Sequence, residues 1–132
     1  MRDEFLPLAI SAMHFLSFRE KLILEEKLDT IGDLAVLSID EISYIVGRRI
    51  RSRWWKGADC QKQAEQSKKL MEIYGIHGLL HHQLDYPAMV AEIFDPPYML
   101  FYRGDIQIVQ DPCISVVGTR KPTPAVAKAT FD

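Results

Sequence analysis

At 132 residues, with 48% hydrophobic and 26% charged residues, the chain has room for one domain or one domain plus a fragment, and its composition excludes a disordered tail. A net charge of −2 argues against a strongly basic nucleic-acid binder when the chain is taken as a whole. Along the chain the charge is uneven: residues 1–47 hold 4 basic and 9 acidic residues, 48–69 hold 8 and 2, and 70–132 hold 4 and 7.

No apolar stretch approaches the roughly 18 residues needed to cross a bilayer. The start, Met1-Arg2-Asp3-Glu4, is acidic where a secretory signal would be basic, so a cytoplasmic location with no membrane partner is expected. Cys60 and Cys113 lie in different segments without a Cys-x-x-Cys spacing, as suits a reducing compartment.

In chain order, the first half reads as five short helices. Leu6 to Leu16 and Phe18 to Leu28 are the first two, the second opened by Ser17-Phe-Arg-Glu20. That is a capping box: the serine side chain accepts an orphan helix N–H, and the glutamate three residues on reaches back to the cap. Thr30 to Leu37 is a shorter helix with Thr30 as its cap. Ser38-Ile-Asp-Glu41 is a second capping box, followed by Ile42, Ile45, Val46 and Ile50 at the helical period. Gly57 is expected to break the pattern. Gln61 to Tyr74 follows as a helix with Ala64, Ser67, Met71 and Tyr74 on one side and Gly75 as its C-terminal glycine.

From Ile76 the chain changes character, with prolines at 87, 96, 97, 112, 122 and 124 and short apolar runs between them. Pro87 suits the first turn of a brief helix through Met89, Val90, Ile93 and Phe94, which Pro96-Pro97 must terminate. Tyr98 to Tyr102 reads as extended, and Ile106 to Val109 as a short strand or a turn of helix. Ile114 to Val117 is expected to be a short buried parallel strand, left open on at least one edge or covered by the helical part or a second copy.

Two constellations could carry chemistry. In the loop after Ile114-Ser-Val-Val-Gly118, Gly118 allows a sharp turn and close approach, Thr119 and Thr123 supply hydroxyls, and Arg120 with Lys121 supply cations suited to phosphate oxygens. Thr123 before Pro124 reads as a helix cap with proline at the first helical position, aiming a helix N-terminus at the same anion. The plainer alternative is an ordinary strand-to-helix turn that contains two cations. The second constellation, Arg48, Arg49, Arg51, Arg53 and Lys56 around Trp54-Trp55, suits a single strand, since cations neutralise phosphate while rings stack on unpaired bases. Its alternative is a solvated helix end with both tryptophans packed inward.

His77, His81 and His82 lack converging ligands at a matching spacing, so no metal or other cofactor is expected. No catalytic dyad or triad emerges, and a non-enzymatic role is expected.

Tyr86-Pro87, Asp95-Pro96-Pro97, Tyr102-Arg-Gly104 and Val116-Val-Gly118-Thr-Arg-Lys-Pro-Thr123, in this order and spacing, resemble the DNA-processing protein A family, also called Smf. The resemblance is strong over residues 84–124 and extends to 1–75 only as general helical character. It implies an α+β chain: a small helical domain of sterile-alpha-motif-like or helix-hairpin-like kind over residues 1–75, then the truncated start of a Rossmann-like domain over 76–132. It further implies single-stranded DNA binding and loading of a recombinase during DNA uptake, that is, natural transformation in competent cells. By the resemblance, Gly118, Thr119 and Arg120 would contact a DNA phosphate with Lys121 and Thr123 nearby, while Arg48, Arg49, Arg51, Arg53 and Lys56 are a secondary DNA contact suggested by the cation–aromatic pattern alone. A homodimer is a further expectation.

Family members usually continue after the proline with an aromatic residue and a glycine, where Ala125 and Val126 stand here. The remaining Rossmann strands are absent, so the chain reads as the front end of such a protein, with weakened binding. Two alternatives from other classes are a fragment of a nucleotide-binding Rossmann-like enzyme acting on nucleoside phosphates, and a helical protein-interaction module.

Overall fold

The computed structural model describes residues 3–131, so the start at Met1-Arg2 and the last residue of the 76–132 unit lie outside the described residues. The chain is α+β and mostly helical, with one small sheet. Five helices come first: α1 (Phe5–Ser11), α2 (Phe18–Lys27), α3 (Ile31–Ala35), α4 (Ile39–Val46) and α5 (Gly57–Tyr74). Strand β1 (His77–Leu80), the short α6 (Ala88–Ala91), strand β2 (Met99–Tyr102), a 3-10 turn at Ile106–Gln110 and α7 (Pro124–Phe131) follow.

Local rules set most of these boundaries. Ser17, Thr30 and Ser38 each open a helix with a reciprocal capping box closed by Glu20, Asp33 and Glu41. Asp3 adds a longer link, because one carboxylate oxygen accepts from Phe5 N at 2.9 Å and the other from Ile31 N at 2.8 Å, tying the starts of α1 and α3 together. Gly75 ends α5 in the left-handed conformation at φ 63°.

Two expected boundaries are corrected. The first helix stops at Ser11 rather than Leu16, because the chain turns at 12–16 so that Met13 and Leu16 both enter the core. Gly57 starts α5 instead of breaking the helical pattern. A Cβ on Gly57 would stand 2.2 Å from the Ala35 carbonyl oxygen, so glycine is what allows the start of α5 to lie against the end of α3. Ile50 falls outside α4, yet it is buried, with its N–H donating to Ser43 Oγ at 3.0 Å.

The core sits where α5 crosses α1 and α3, with α2 and α4 packed together alongside. Ile10, Met13, Leu24, Leu34 and Ile42 are its largest fully buried side chains. Truncating one such leucine to alanine ordinarily costs about 2–5 kcal/mol through lost transfer energy and the cavity left behind.

β1 and β2 pair antiparallel, with His77 opposite Tyr102 and Leu80 opposite Met99. The hairpin is not a separate lobe. Tyr98 is buried in the same core as the helices, and Leu80 and Met99 pack against it. Asp95 Oδ1 accepts from Phe18 N at 2.8 Å, joining the Pro96-Pro97 turn to the first amide of α2. Tyr86 Oη donates to Pro97 O at 2.7 Å, closing the 86–97 loop on itself.

The expected strand at 114–117 does not form: the segment has no ladder partner among the described residues, and Ile114, Val116 and Val117 are 92%, 76% and 91% exposed. The physical reason is pairing. A parallel strand needs neighbours reached by crossover connections, and the sheet of the described residues contains only β1 and β2, paired with each other. Neither the helical part nor the hairpin covers the segment.

Candidate nucleic-acid interface

Residues 118–123 form an open turn leading into α7. Gly118, Thr119, Arg120, Lys121 and Thr123 are all exposed, and neither cation has an ion pair with a described residue. Lys121 N donates to Thr119 Oγ1 at 3.3 Å, which draws the loop in, and Val126 N donates to Thr123 Oγ1 at 3.4 Å, which caps the helix. Pro124, without an N–H, stands at the first position of α7.

Gly118 does not adopt a left-handed φ, and a Cβ there would meet nothing within 4 Å. The fold itself therefore places no demand for glycine at 118. Any such demand would come from a ligand approaching the backbone.

The basic segment divides. Gly47 ends α4, and Arg48 then turns back on the bundle, with Nε 2.7 Å from Glu20 Oε2 and Nη2 donating to Glu20 Oε1 and to Phe15 O at 2.9 and 3.0 Å. This pairing raises the Arg48 pKa and, as the largest influence on Glu20, holds that carboxyl below its usual range. Arg48 is thus a link between α2 and the end of α4, which sets it apart from the other expected DNA contacts. Arg49, Arg51, Arg53 and Lys56 are exposed and have no ion pair with a described residue.

The two tryptophans also divide. Trp55 is half-buried, its Nε1 donates to Leu37 O at 2.9 Å, and its ring meets Phe15 edge-on at 6.2 Å. Trp54 is 93% exposed. Both line a cleft of about 650 Å³ whose walls come from α1, the 12–15 turn, the 52–55 segment and α5.

The histidines do not gather into a metal site, and among the described residues no three metal-ligating side chains converge. His81 lies against Phe18, Tyr98 and His82, with ring centroids 5.3, 5.5 and 5.1 Å away, and burial is the main cause of its lowered pKa. His77 packs against Tyr102 across the hairpin. No described helix is long and apolar enough to cross a membrane.

Sequence reasoning missed the Glu20–Arg48 pair and the hydrogen bond that Phe18 N donates to Asp95. Both join residues far apart in the chain, and no local spacing marks either one. The separate fates of Trp54 and Trp55 likewise follow from how the 52–55 segment lies on the bundle, with Trp55 fixed by Leu37 O.

The family model described as DNA recombination-mediator protein A matches residues 77–131. The DNA processing protein DprA of Streptococcus pneumoniae (strain ATCC BAA-255 / R6) is 39% identical over 44 residues, which is 33% of this chain and 16% of that relative. The match thus spans about a sixth of the relative's length. No solved structure matches the chain.

Proposed function

We propose that this chain, whose residues 77–131 match the DNA recombination-mediator protein A family model, takes part in DNA processing by holding single-stranded DNA through its 118–123 loop. The observation that carries the reading is the state of that loop: a hydroxyl–cation turn, open to solvent, with Arg120 and Lys121 free of ion pairs to described residues, running into a capped helix N-terminus. Each part suits a phosphate. The guanidinium of Arg120 offers a planar fork of donors, Thr119 offers a hydroxyl, and the start of α7 offers partial positive charge.

The same reading extends to the biological setting: uptake and recombination of DNA in transformation, with a recombinase as protein partner and a non-catalytic role for this chain. Arg49, Arg51, Arg53 and Lys56 form the second contact, their charge reinforcing the loop's hold on the backbone. Because 114–117 is exposed rather than sheet-bound, the loop lacks a rigid support, and weak binding is expected.

Titration of a labelled single-stranded oligonucleotide across a range of salt tests this reading. Affinity should fall with salt, with a slope of about 0.7 in log–log form for each phosphate neutralised. Arg120→Ala should weaken binding and reduce the slope by about that amount, and Gly118→Ala should weaken binding without changing stability. Binding no stronger than that of an acidic control protein, or indifferent to Arg120, would remove the proposal. Stabilisation by mononucleotides in a thermal shift assay, without oligonucleotide binding, would favour a nucleotide-binding enzyme instead.

A further inference from the structure

We infer that the cleft between α1, the 52–55 segment and α5 seats an unpaired base of a single strand, stacked on Trp54. The inference rests on the single-strand reading above and adds a distinct site on the helical part of the chain. Trp54 is the first reason. Tryptophan usually gives up most of its surface on folding, yet this ring is 93% exposed while its neighbour Trp55 is anchored by a hydrogen bond to Leu37 O. One ring is fixed as wall, and the other is left with an open face.

The cleft is the second reason. At about 650 Å³ it has the size of a small-ligand site, with an apolar lining that includes Met13, Phe15 and Ala64 and polar groups from Ser52, Gln63 and Ser67. A flat heteroaromatic ring with polar edges fits that mixture, since its faces meet apolar surface and its edges find hydrogen-bonding partners.

Charge selects the occupant. Residues 48–69 hold 8 cations and 2 anions, and Arg51, Arg53 and Lys56, chain neighbours of the cleft-lining Ser52, Trp54 and Trp55, are exposed without ion pairs to described residues. An aromatic ring carried on a polyanion satisfies both features at once. Stacking of bases on aromatic side chains is tolerant of sequence, so the site would take any strand that presents an unpaired base.

Both tryptophans of the chain lie in this segment, so intrinsic emission reads the cleft alone, while polarisation of a labelled strand reads all binding. The experiment titrates the full chain with oligo-thymidylate and with an abasic strand of equal length. Oligo-thymidylate should quench tryptophan emission and the abasic strand should not. Trp54→Ala should lower affinity for oligo-thymidylate by about five-fold or more, towards the abasic value, while Trp54→Phe keeps most of it. Circular dichroism should show Trp54→Ala folded, because the ring is exposed.

Oligo-thymidylate bound by polarisation but without quenching, equal quenching by both strands, or indifference of affinity to Trp54→Ala would overturn this inference alone. The single-strand reading would then still stand if Arg120→Ala weakened binding. Failure of both strands to bind in polarisation would remove both readings. Quenching by an acidic amphipathic peptide but not by oligo-thymidylate would assign the cleft to a protein partner and overturn it as well.

Discussion

Glycine 57 and glutamate 20 show how single residues fix the helical part. At Gly57 the nearest atoms to an added Cβ are the carbonyl oxygen and carbon of Ala35, at 2.2 and 3.0 Å, both backbone and unable to swing aside. Gly57→Ala should therefore destabilise the protein by about 1–3 kcal/mol, seen as a lower urea midpoint, whereas alanine at 118 meets open space and should leave the midpoint in place. An unchanged midpoint for Gly57→Ala would mean that α3 and α5 can separate at no cost. Glu20 closes the capping box of α2 and also receives Arg48. The hydrogen bond from Arg48 is the main influence holding its carboxyl below the usual 4.5, with desolvation opposing it and Ser17 assisting. The folded state thus binds this proton more weakly than the unfolded chain, so the stabilisation is whole above pH 4.5 and disappears as pH falls through the lower folded value. Glu20→Gln should flatten that acid limb in urea midpoints measured on either side of it, and an unaltered limb would assign the acid sensitivity to other carboxylates.

Among the elements, α2 depends on a partner far away in sequence. Its first amide, Phe18 N, is satisfied by Asp95 rather than by its own cap, since the Ser17 side chain serves Glu20 N. Asp95→Ala should cost about 1 kcal/mol, in the range of a lost helix cap, and should speed hydrogen exchange at the Phe18 amide. Normal protection at that amide would show that water replaces the carboxylate without loss. What was legible in the sequence follows the same division between local and distant causes. The three capped helix starts at Ser17, Thr30 and Ser38 and the glycine end of α5 obey rules that act within four residues, and all could be read directly. β1 could not, because His77-Gly78-Leu79-Leu80 lacks strand alternation and becomes a strand only by pairing with Met99–Tyr102. The opposite error arose at Ile114 to Val117, where an apolar β-branched run has strand composition but no ladder partner among the described residues. At the candidate interface the residue types of the 118–123 loop were legible, whereas the Arg48–Glu20 pair and the exposure of Trp54 depend on how the bundle closes.

Across the whole molecule, the helices and hairpin share one core through Tyr98, Leu80 and Met99, whereas no helix or strand packs extensively on α7. Trypsin should therefore cut first after Arg120, in an exposed stretch where Pro122 protects the neighbouring Lys121, and should leave the helix–hairpin body resistant. Under the proposed function, an excess of single-stranded oligonucleotide should slow that first cut, and equal rates with and without it would count against the loop as a contact. The tether from Tyr86 to Pro97 O has a consequence of another kind. The hydroxyl fastens the two ends of its loop together and Asp95 ties the loop to α2, so within the closure Met89 and Phe94 stand exposed. Lengthening that loop adds only a small, slowly growing entropy cost. Evolution or an engineer could vary exposed Met89 and Phe94, as a swappable tag, while Asp95 and the tether keep the hairpin docked on the helices.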